Sequence, residues 1–168
     1  TDNTISRTTT VSAAVFHGVR DGEDPATTTM WTLLGDPKFS IAVPCWVNVS
    51  EVDDAMMDPR GAELGEIAIS LREWCLDQNR KGVRTSYLPG IWNDLWPVED
   101  QIFSIVAKQV DAWRTDPPSQ DQMTALHLRL TTLAMDGQSR LHSRPLVAGY
   151  RMALVSCKRD LPIGHDCT

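Results

Sequence analysis

Two runs of hydroxyl side chains are the first candidates for a functional role: Thr8-Thr9-Thr10 and Thr27-Thr28-Thr29-Met30-Trp31-Thr32. One reading is structural, because a side chain branched at Cβ packs well on a pleated strand. The other is chemical: hydroxyls gathered at strand ends beside an indole suit a polar pocket for an amide or acyl substrate. On that reading Thr9, Thr10, Trp31 and Thr32 are the substrate-binding residues. Neither run brings a general base with it.

Histidines, cysteines and carboxylates offer less. His165-Asp166-Cys167 and Cys157 are zinc-ligand types, but their spacing is loose beside the tight pairs that structural zinc sites use, so no metal site is expected. His17 sits in an alternating run and His127 in a helical one, and both read as hydrogen-bonded structural residues. Asp53, Asp54 and Asp58 fit a solvated loop with a helix cap. No Gly-rich phosphate loop, nucleophile elbow or paired CxxC is present, so no cofactor is expected and no catalytic residue is identified. Cys45 and Cys75 read as small buried hydrophobes. Cys157 and Cys167 could pair in an oxidising compartment, and Asn48-Val49-Ser50 matches a glycosylation acceptor; together they leave the compartment open.

The elements that must hold these residues follow from periodicity. Val11, Ala13, Val15, His17 and Val19 alternate with Ser12, Ala14, Phe16 and Gly18, a strand uncharged on both sides and therefore expected to be covered on both. Asp21-Gly22 and Pro25 end it. A second strand is expected from about Thr27 to Leu34 and a third from Phe39 to Val47, where Pro44 demands an edge or a bulge. Short connections make the three an antiparallel meander.

After Asp53 the period becomes helical. A helix is expected from Asp58-Pro59, with Leu64, Ile67, Ala68, Leu71, Trp74 and Cys75 as its apolar stripe. Asn79 to Gly90 reads as a polar connection. A second helix is expected from Pro97 to Trp113, and a third from Ser119, which stands in capping-box spacing with Gln122. Gly137 is the expected residue just past its end. Residues 141–168 read as irregular, apart from one strand-like run from Leu146 to Val155. The whole, 1–168, reads as a single α+β unit, three strands and then three helices.

A formal net charge of -6 over 168 residues, with no basic cluster, argues against a nucleic-acid partner. No apolar run approaches the roughly 20 residues of a membrane helix.

The ordered blocks Thr9-Thr10-Val11-Ser12-Ala13-Ala14-Val15, Glu23-Asp24-Pro25, Thr29 through Gly35 and Val43-Pro44-Cys45-Trp46-Val47, continued by Trp96-Pro97-Val98-Glu99-Asp100-Gln101-Ile102-Phe103, resemble the C-terminal half of bacterial linear-amide C–N hydrolases. These are relatives of the acyl-CoA:6-aminopenicillanate acyltransferases and, more distantly, of the choloylglycine hydrolases. The similarity spans roughly Arg7 to Trp113. It implies an N-terminal-nucleophile hydrolase, an αββα sandwich formed by autoproteolysis that cleaves or transfers amide-linked acyl groups. The family nucleophile is a Cys at the mature N-terminus, with its own α-amine as base. No cysteine here matches it. The resemblance therefore implies a nucleophile upstream of Thr1, a complementary upstream chain or segment as partner, and a small-molecule amide or acyl substrate.

Thr1 could in principle serve as an N-terminal nucleophile, since a free α-amine can deprotonate its hydroxyl. Against this, it stands ten residues ahead of Val11, the first alternating apolar position, across a polar stretch. If the chain is half of a sandwich, its first sheet should show an uncovered apolar face or edge. The alternative is a non-catalytic α+β module that binds a ligand or a protein.

Overall fold

A computed structural model describes residues 10–59, 61–79 and 81–144. The expected meander is there: β1 (Ser12–His17), β2 (Thr29–Leu34) and β3 (Val43–Cys45) form one antiparallel sheet in the order β1-β2-β3. Opposite residues share a face and successive ones alternate. The register sets Val15 opposite Trp31 and Trp31 opposite Pro44 on one face, with Phe16, Met30 and Cys45 on the other. Pro44, lacking an N–H, lies on an edge strand, where no ladder bond is lost.

Two expectations about the strands need correction. β3 has three residues rather than the run from Phe39 to Val47. Phe39 and Ile41 are buried, but on a loop that Ser40 folds back by hydrogen bonding to the Leu34 and Asp36 carbonyls. And β1 is not covered on two sides. Val11, Val15 and Phe16 are 66%, 58% and 70% exposed.

Three helices follow: α1 (Glu63–Trp74), α2 (Leu88–Trp113) and α3 (Gln120–Ser143). Asp58-Pro59 does not start α1, because Gly61 at φ 137° interposes non-helical backbone and Ala62 becomes the N-cap. Pro97 lies inside α2 rather than at its start. The apolar stripe Leu88, Ile91, Leu95, Val98, Ile102, Val106 runs through the proline at helical spacing, and burying it outweighs the lost backbone bond.

The capping box on α3 forms as expected, Ser119 Oγ accepting from Gln122 N while Gln122 Oε1 accepts from Ser119 N. Gly137 does not end α3. A Cβ there would stand 3.1 Å from the methyls of Ile41 and Val98, so the glycine permits close helix packing. Residues 141–143, expected to open an irregular tail, are helical; the strand-like run Leu146 to Val155 lies outside the described residues.

The core is one cluster built from the three helical stripes, the loop 39–42 and β3. Buried Gln138 on α3 donates to the Phe39 and Leu64 carbonyls, both at 3.3 Å, tying loop and α1 to α3. Among the described residues no helix is long and apolar enough to cross a membrane.

Candidate ligand-binding site

The face of the sheet that carries Trp31 meets the C-terminal half of α2. Antiparallel register brings His17 of β1 beside Thr29 of β2, and the helical period puts Phe103, Val106 and Val110 on one side of α2. Between them is a groove of about 470 Å³ lined by both elements. Trp31 and Phe103 pack edge to face across it, with ring centroids 4.6 Å apart.

A smaller cavity of about 150 Å³ adjoins, sharing His17, Thr29, Val110 and Arg114 with the groove and adding Arg20 and Glu23. Arg114 pairs with Glu23 at 2.8 Å and with Asp111 at 2.6 Å, which pins the β1–β2 connection to the end of α2. The Arg20 backbone N–H holds the Glu23 carboxyl below its usual range; burial opposes it and Arg114 adds to the lowering.

The threonine runs do not converge on this groove as a set. Trp31 lines it. Thr32, the next residue, points to the opposite face, where it lies by Cys45. Thr10 precedes β1 at the far end of the hairpin from His17, and Thr1 and Thr9 lie outside the described residues. Thr27 and Thr29 spend their hydroxyls locally: Thr27 donates to Asp24 O, while Thr29 donates to Thr27 O and accepts from Trp46 Nε1 at 3.0 Å.

Behind the sheet, Cys45 and His127 come within 3.7 Å, a pairing that sequence spacing does not announce. Its geometry is unsuited to nucleophilic catalysis. His127 Nδ1 stands 2.8 Å from the Pro44 carbonyl, which can only accept, so this nitrogen carries the proton and cannot take one from Cys45. The basic Nε2 is buried and has no hydrogen-bond partner among the described residues. Burial pushes the Cys45 thiol up, the Thr32 hydroxyl opposing only in part. Cys45 and Cys75 are buried free thiols, as expected, whereas Cys157, His165 and Cys167 fall outside the described residues.

Two acidic features complete the inventory. Asp54, Asp58, Glu63 and Glu66 line an open cavity of about 380 Å³, yet among the described residues no group of three or more His, Cys, Asp or Glu is placed to hold a metal ion. Glu99 on α2 accepts from Ala42 N at 2.8 Å, fastening the loop 39–42. Burial raises its pKa, Ala42 N–H opposes this, and neighbouring Asp100 adds to the rise.

Sequence reading missed Lys108, Arg114 and the outward role of Phe103, and it set His17 aside as structural although it is exposed at the groove. Helical spacing within the expected second helix puts Val106 and Val110 on one side, but nothing local says which strand that side will meet. Comparison with known proteins finds no counterpart: no family model, no curated protein and no solved structure matches the chain.

Proposed function

We propose that this chain is the C-terminal portion of an amidohydrolase or acyltransferase acting on linear amide C–N bonds, with its nucleophile supplied by an upstream segment. The observation that carries the reading is β1. Val15 and Phe16 are adjacent, point to opposite faces and are both mostly exposed, and the outer edge of β1 has no neighbour among the described residues. The strand reads Ser-Ala-Ala-Val-Phe-His, with no Lys, Glu or Pro to blunt pairing with another strand. Apolar side chains on both faces of an edge are what an inner strand presents when its neighbours are missing. In the proposed enzyme the upstream segment adds strands beside β1 and completes an αββα sandwich around an amide or acyl substrate. The ordered blocks from Thr9 to Phe103 support the amide chemistry in particular.

The test is intact mass and N-terminal sequencing of the protein purified under native conditions from its source. An upstream polypeptide, continuous or co-purifying, with a Cys at its processed N-terminus is the expected result. A lone polypeptide of this length that stays monodisperse and melts cooperatively would overturn the reading. It would favour the non-catalytic binding module, for which the groove between the sheet and α2 is the supporting observation.

A further inference from the structure

The groove between the sheet and α2 narrows the choice of its own occupant. Its floor is apolar, formed by the edge-to-face pair Trp31 and Phe103 and continued by Val106 and Val110. Its volume of about 470 Å³ falls within the range of small-molecule sites. Its rim is charged and unevenly so. Arg114 is matched by Glu23 and Asp111. Arg20 lies on the adjoining cavity. Lys108, exposed on α2, lines the groove and makes no ion pair with any described residue. Three cations therefore face two carboxylates across the joined cavities, in a chain whose net charge is -6. A locally positive rim on an acidic protein draws a negative group to that rim, while the floor takes an apolar body.

We infer that the groove binds an amphipathic carboxylate, its aromatic or alkyl body on Trp31 and Phe103 and its carboxylate beside Lys108. The inference needs no catalytic role for the chain and stands apart from the amidohydrolase reading. Alkyl and aryl bodies share the same apolar contact, and an aryl one adds a further ring against the Trp31–Phe103 pair.

The experiment is calorimetric titration of the full 168-residue chain with 4-phenylbutyrate and with its uncharged amide, 4-phenylbutyramide, at low salt. The acid is expected to bind about three-fold more tightly than the amide, the size of one exposed ion pair, and to lose that advantage as salt rises. Lys108→Glu is expected to abolish the preference for the acid. Ala107→Trp, which fills the groove from an exposed helix position, is expected to weaken both ligands by about ten-fold or more. Both substituted positions are exposed, so unchanged melting separates a blocked groove from a damaged fold. Equal affinity of acid and amide for the parent chain, undiminished binding by Ala107→Trp, or no saturable binding at all would each overturn the inference. None of these outcomes bears on an upstream segment, which the mass measurement decides.

Discussion

Cys75 caps the C-terminus of α1 with its thiol packed in the core, and burial pushes its pKa up to about 11. The unfolded thiol ionises near 9.0, so above that pH the folded state holds a proton that the unfolded state has released. Stability is full below pH 9 and falls as pH rises toward 11, by an amount on the order of 2 kcal/mol from this residue. Urea midpoints at pH 8 and pH 10.5 are expected to show that drop, reduced in Cys75→Ala. Cys45 shifts the same way and leaves a residual slope. His127 illustrates a different limit on inference from residue type. A helical position in the sequence identified it as structural, and its Nδ1 is indeed satisfied by Pro44, yet only the packed core reveals that Nε2 is orphaned.

At the scale of elements, α2 and α3 each contain a residue that local rules would place at a helix end. Pro97 is exposed and interior, and its ring nitrogen cannot donate to the preceding turn. Pro97→Ala is expected to raise stability by about 1–3 kcal/mol, read from thermal or urea denaturation, since the helix gains a donor and loses a clash. Gly137 is the opposite case. Helix propensity favours replacing it, but the methyls of Ile41 and Val98 leave no room for a branched side chain. Gly137→Val is expected to cost about 2–3 kcal/mol by overpacking, measured the same way. The local preferences of Pro97 and Gly137 for helix ends are both overridden by the period of the apolar stripe, summed over many buried residues.

For the whole molecule, β1 is the exposed edge of a sheet whose burial rises through β2 to β3. If an upstream segment normally lies on it, the isolated chain should self-associate through that edge, at micromolar concentrations accessible to sedimentation. Val15→Lys with Phe16→Lys is expected to make it monodisperse, with little change in melting, because both side chains are already in solvent. On the proposed reading, the same pair of substitutions should also abolish assembly with the upstream segment.

The α+β class, the meander and the third helix's start were legible in the sequence because alternation, turn residues and the Ser119–Gln122 box are local and self-sufficient. The candidate site was legible only at Trp31. His17 of β1 and Thr29 of β2 read as structural, and the remaining walls come from α2, roughly seventy residues along the chain from β2. Which helix face meets which sheet face depends on packing of the whole core. Periodicity in the sequence is enough for the order and type of the three strands and three helices, but not for the extent of β3, the starts of α1 and α2 or the end of α3. The tertiary structure alone decided which sheet face α2 meets, and so that Lys108 and Arg114 join Trp31 rather than Thr32, because convergence of side chains is a property of packed layers rather than of periodicity.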